Sequence, residues 1–138
     1  MKKTCVRMGF WFLCGAILYP AVEVIWRGYT HWSMALAGGA CALLLLYLNG
    51  LFSGLARPFR ALLGGFVICL VEFLFGVVFN LFLGMAVWDY SHLTYHLLGQ
   101  VSLRYFFLWS GLSFGLTYLF DRVWAGDSIR EKIFRAAA

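Results

Sequence analysis

Four long apolar runs constrain this chain more than any other feature. Each is close to the ~20 residues that an α-helix needs to cross a bilayer. They cover roughly residues 9–26, 33–52, 61–84 and 101–124, and the third stays apolar as far as Val87, longer than a straight crossing requires. Inside a bilayer no water satisfies open backbone groups, so spanning segments are helices or closed barrels. Barrel strands alternate apolar and polar residues, whereas these runs are continuous, so helices are expected. The expected fold is an all-α integral membrane protein. Residues 1–138 would form a single membrane domain: a four-transmembrane-helix bundle with an interfacial or re-entrant segment between helices 3 and 4, and a polar cytoplasmic tail at 125–138.

The composition excludes an ordinary soluble domain. Charged residues make up 12% of the chain and hydrophobic ones 63%, against about a quarter charged in soluble proteins. Six Trp and seven Tyr suit the membrane interface, where a ring is half wet and half dry. The net charge of +5 comes from basic residues in short groups between the apolar runs, not from one basic face, so no nucleic-acid partner is expected. Cys5, Cys14, Cys41 and Cys69 show no CxxC spacing, and packing is their expected role. The basic start and first apolar run resemble a signal peptide. Glu23 interrupts that run and no small-residue cleavage site follows, so a retained first helix is expected.

Lys and Arg in short connections set orientation. Lys2, Lys3, Arg7, Arg57, Arg60, Arg122, Arg130, Lys132 and Arg135 fall on one side, and only Arg27 and Arg104 on the other. The richer side is expected to be cytoplasmic. Both termini then lie there, which agrees with an even number of spans in a bacterial inner (cytoplasmic) membrane.

Against this apolar background the polar residues stand out. Glu72 falls near the middle of the third run, with Gly76 and Asn80 following at four-residue spacing. That spacing places all three on one helix face, which should meet other helices rather than lipid. Two readings of Glu72 stand side by side: a proton- or cation-binding carboxylate, or a protonated side chain that bonds neighbouring helices together. At the other side of the membrane Glu23, Arg27 and His31 follow the same spacing. They form either a helical ion pair with an interfacial His or a polar site shared with the segment Trp88–Gln100. In that segment Asp89 or Ser91 is placed to cap a short helix, and Asp89 is a potential partner of Arg104. Tyr90 and Gln100 belong to the same candidate region. His92 and His96 would share a face if the segment is helical, and with His31 they are weak metal-ligand candidates. No GxSxG, HExxH or Walker loop is present.

Several of these blocks carry a family resemblance. Glu72-Phe73-Leu74-Phe75-Gly76 with Asn80, then Trp88-Asp89-Tyr90-Ser91, then Leu98-Gly99-Gln100 and Trp109, resemble the bacterial membrane-protein family called Putative ABC-transporter type IV (CmpB-like). Arg27-Gly28-Tyr29-Thr30-His31-Trp32-Ser33-Met34 followed by Gly38-Gly39 resembles a clostridial branch of it. The blocks span roughly residues 9–124. His96 stands where the family pattern has Asn. The resemblance implies transport, and with no ATP-binding motif in the chain it implies a separate ATPase subunit.

The expected function is a membrane subunit of a transport system, proton- or cation-linked through Glu72, working as a homo-oligomer or with other membrane subunits. Its candidate pathway residues are Glu72, Asn80, Asp89, Glu23, Arg27, Arg104, Tyr90 and Gln100. The alternatives are a non-transporting scaffold that docks through the Trp-Asp-Tyr-Ser loop, a membrane enzyme using Asp89 and a His on a lipid or envelope precursor, and a metal- or haem-binding membrane protein. No cofactor is expected, and the bilayer is the surrounding partner.

Overall fold

A computed structural model describes residues 2–125, with side chains from Cys5 to Val123. The expected tail, with Arg130, Lys132 and Arg135, lies outside the described residues. Four helices follow one another: α1 (Lys2–Arg27), α2 (Trp32–Leu51), α3 (Arg57–Gly76) and α4 (Leu103–Ala125). Three stretches among the described residues are long and apolar enough to cross a membrane: Cys5–Arg27, Trp32–Leu51 and Arg57–Phe82. The fourth helix has comparable length at 23 residues. Arg104, Ser110, Ser113, Thr117 and Asp121 make it less apolar, and three of those, Ser110, Ser113 and Thr117, are buried.

The packing follows from small residues. Gly15 of α1 and Gly38 of α2 lie backbone against backbone, so a Cβ on either would strike the other's carbonyl oxygen. On the other side of the molecule Gly64 and Gly65 of α3 receive Ser113 and Ser110 of α4. In lipid such close approaches hold helices together, because the hydrophobic effect does not distinguish a neighbour from an acyl chain. The Ser110 and Thr117 hydroxyls donate to carbonyls of their own helix, Phe106 O at 2.8 Å and Phe114 O at 2.7 Å, so they cross the interface without unpaired donors. The strongest pairings are α1 with α2 and α3 with α4, and α2 joins the pairs through its contacts with α3 and α4. Met34, Ala37, Cys41 and Leu45 form its buried stripe.

Helix boundaries have local causes. Gly28, at φ 81°, ends α1 in the left-handed conformation that glycine adopts without steric cost. Pro58 lies at the start of α3, where its missing N–H has no intrahelical partner to lose. After Gly76 the helix widens into a π turn, Val77–Phe82.

The segment after it departs from expectation. It holds no short helix capped by Asp89 or Ser91, and the fold is not wholly α. Residues 83–95 are turns and extended backbone, and β1 (His96–Leu97) pairs antiparallel with β2 (Val101–Ser102), His96 opposite Ser102 and Leu97 opposite Val101. Left-handed backbone at Gly84, Ala86, Tyr95, Leu98 and Gly99 prevents a continuous helix. With both Leu98 and Gly99 at positive φ, and Gln100 N–H donating to Leu97 O at 3.0 Å, the hairpin closes as a primed turn.

Candidate functional site

Of the expected i, i+4, i+8 stripe, Glu72 and Gly76 lie on α3 and point inward, whereas Asn80 falls in the π turn and is half-buried. Glu72 is 2% exposed and Gly76 is buried. The Tyr19 phenol of α1 donates to Glu72 Oε1, while Oε2 is buried without a hydrogen-bond partner. Trp109 of α4 lies against the same carboxyl, its indole N–H also unpartnered. Tyr19 and Trp109 stack with centroids 5.4 Å apart at 26°. Thus three helices meet at one buried acid.

Beyond Tyr19 and Trp109 a cleft of about 310 Å³ opens between α1 and α4. Half of its lining residues are aromatic: Tyr19, Trp26, Tyr90, Tyr105 and Trp109. Tyr90 and Tyr105 stack at 4.5 Å and 18°. Glu23 and Arg27 close the end nearest the 83–102 segment. They form the expected ion pair, and Thr30 Oγ1 donates to Glu23 Oε2 at 2.6 Å. His31 does not continue their stripe, because α1 ends at Arg27. It caps α2 instead, its Nδ1 accepting the Ser33 N–H at 3.3 Å and meeting Ser33 Oγ at 2.7 Å. Burial and the nearby Glu72 charge push the Tyr90 phenol upward, so it stays protonated.

Asn80 and Gln100 are engaged within the protein. Asn80 Nδ2 donates to Trp88 O at 3.0 Å and to Gln100 Oε1 at 2.8 Å, and its Oδ1 accepts the Val87 N–H at 2.6 Å. Gln100 Nε2 donates to Leu98 O at 2.8 Å, and Gln100 O accepts the Trp88 indole at 2.9 Å. What comes close to Gly76 is the Gln100 side chain, which a Cβ there would strike. These bonds join the Trp-Asp-Tyr-Ser and Leu-Gly-Gln blocks to the π turn, with Tyr90 N–H donating to Gly99 O at 2.8 Å. Asn80→Leu would leave three polar groups without their partner, a loss on the order of 2–3 kcal/mol. Hydrogen exchange of residues 86–100 should accelerate in this variant while α1 and α2 stay protected; uniform acceleration would contradict the pinning role.

Other candidates lie apart from the cleft. Asp89 is exposed and accepts from Ser91 N–H and Oγ, both at 2.8 Å; these bonds, backbone first, hold its carboxyl below the usual range. It caps a turn, not a helix, and the structure does not pair it with Arg104, which is exposed on α4. His92 and His96 share no helix face because the segment is not helical; His96 Nδ1 accepts the Gly99 N–H at 3.0 Å. Among the described residues no three His, Cys, Asp or Glu side chains group as metal ligands.

Two features escaped the sequence reading. One is the aromatic wall, although Tyr19, Glu23 and Arg27 repeat at four-residue spacing and the stripe was extendable by one step. The other lies at the opposite end of the helices. Arg60 of α3 bonds Asp121 of α4 through both Nη atoms, at 2.6 and 3.0 Å, and Asn49 of α2 at 3.3 Å. Arg57 adds a bond to Asp121 at 3.1 Å. Arg57 and Arg60 entered the reading only as loop charges.

No curated protein and no solved structure matches the chain. The membrane-spanning helices and the Asn80–Trp88–Gln100 interlock accompany a family match that runs from residue 8 to residue 136. The chain belongs to the family described as Putative ABC-transporter type IV.

Proposed function

We propose that this protein is a membrane subunit of a transport system whose substrate path includes the α1–α4 cleft, and that transport is proton- or cation-linked through Glu72. One observation carries the reading: a fully buried carboxyl with an unpartnered oxygen lies directly behind the cleft wall. Intramembrane ionisable groups are costly, and they mark ion and substrate pathways. Tyr19 links the acid to the cleft, and Glu23 and Arg27 bind or gate at its end. Asn80, Gln100 and Tyr90 hold the loop that forms its rim, and Asp89 and Arg104 lie on the exposed surface beyond.

In this reading α4 is the fourth span, carried across by its pairing with α3, and both termini face the cytoplasm of a bacterial inner membrane. Four helices are few for a complete pathway, so the protein works as a homo-oligomer or beside other membrane subunits. An ATP-driven system would need a separate ATPase, since this chain has no Walker motif. Native mass spectrometry of the protein in mild detergent tests the reading. A stoichiometric small-molecule adduct is expected, and it should be lost in Glu72→Gln with the subunit number unchanged. A clean oligomer without adduct, from wild type and variant alike, would refute the binding role.

That second outcome would favour a scaffold, for which one observation speaks. Tyr95 and Leu98 hold left-handed backbone although they are 76% and 62% exposed. A non-glycine residue kept in that conformation is a strained feature of the kind found at contact sites.

A further inference from the structure

We infer that the cleft between α1 and α4 is a binding site for a small organic monocation with an apolar body, such as a quaternary ammonium compound. The inference deepens the transport reading by naming its substrate class, and it rests on that reading only for the step after binding. Three features select this chemistry.

First, five aromatic side chains from α1, α4 and the 83–102 segment line one cavity. Aromatic faces attract cations, most strongly when both are desolvated, and quaternary ammonium groups are recognised by such cages. Tyr19 has its hydroxyl turned to Glu72; a phenol that donates to a carboxylate carries more electron density on its ring. Trp109 stacks upon it.

Second, the charges are unequal. Arg27 is paired with Glu23, which cancels both. Among the described residues no cation forms an ion pair with Glu72, so an ionised Glu72 leaves one negative charge behind the cleft wall. A monocation balances it, and the low dielectric strengthens that attraction relative to water. An anion would find Arg27 already taken and a second negative charge behind the wall.

Third, the size fits. A volume of about 310 Å³ lies at the small end of ligand pockets, and the mostly apolar lining suits a hydrocarbon substituent. The groups acting on Glu72 come from each element around it: Tyr19, Glu23 and Arg27 on α1, Cys41 on α2, Cys69 on α3, Trp109 on α4 and Tyr90 in the loop.

Equilibrium dialysis of radiolabelled benzyltrimethylammonium against the purified protein in a neutral detergent tests the inference. Neopentylbenzene, in which carbon replaces the charged nitrogen, serves as the uncharged competitor. Saturable binding at one site per chain is expected, with no competition from the neutral isostere. Glu72→Gln and Trp109→Leu should each weaken it on the order of tenfold or more, and Trp109→Phe, which keeps a ring, should retain most of it. Acidification should weaken binding to wild type, because a protonated Glu72 offers no charge, and should leave Glu72→Gln unchanged. Melting curves in the same detergent exclude variants that have lost their fold. Absent saturation, equal competition by the isostere, or wild-type affinity in both folded variants would each overturn the inference. Flux in proteoliposomes separates the two readings. Binding without flux removes transport and leaves the cation site standing; Glu72-dependent flux without cation binding does the reverse.

Discussion

Replacing Asp121 by leucine is expected to lower stability by about 3 kcal/mol. Arg60 has a side chain only 5% exposed, and Asp121 supplies its two shortest bonds. The pair is part-buried, with Asp121 30% exposed, but removing Asp121 leaves the buried Arg60 charge desolvated and without its main partner, and that uncompensated charge dominates the loss. Asn49 Oδ1 alone, at 3.3 Å, cannot offset it. The loss should appear as a lower melting temperature in detergent. Asp121→Asn should lose less, since one acceptor survives. The double variant Arg60→Leu with Asp121→Leu should recover most of the stability, because removing both charges removes the penalty. A double variant no more stable than Asp121→Leu alone would contradict this account.

Gly38→Leu should have a comparable effect by a different mechanism. Its new side chain would meet the Gly15 carbonyl and Tyr19 Cβ, both on the backbone of α1 or next to it. A rotamer change cannot relieve contact with backbone, so α1 must move. Overpacking of this kind costs about 1–3 kcal/mol, and the upper end is expected here. Because Tyr19 lies in the path, its bond to Glu72 should fail along with the α1–α2 packing. Gly111→Ala is the control: nothing lies within 4 Å of a Cβ there, and its melting temperature should match or exceed the wild type. A Gly38→Leu protein as stable as the control would show that α1 does not depend on this crossing.

Sequence periodicity reached some of this architecture and missed the rest for definite reasons. The apolar runs of α1, α2 and α3 were legible because lipid requires long uninterrupted hydrophobicity. So was the inward face of Glu72 and Gly76, because four-residue spacing is a property of the helix itself. The partner of Glu72 was not, since Tyr19 is 53 residues away and no local pattern expresses a contact between helices. The loop failed differently. Asp89 and Ser91 suggested the cap of a short helix, but Ala86, Tyr95 and Leu98 adopt left-handed backbone that their residue types do not announce. Arg60 illustrates a third kind of miss. Counting it toward orientation treated it as solvated, whereas Asp121 and Asn49 bury it.

The arrangement of the helices in two tight pairs bears on how the site is assembled. Each pair is a helical hairpin, joined by Gly28–His31 in one and by the long 77–102 segment in the other, and the site is split between them. Tyr19, Glu23 and Arg27 arrive with the first hairpin, and Glu72, Tyr90, Tyr105 and Trp109 with the second. Until they dock, Glu72 lacks its Tyr19 partner. The site is therefore assembled only by the meeting of the two hairpins, and neither hairpin alone carries it.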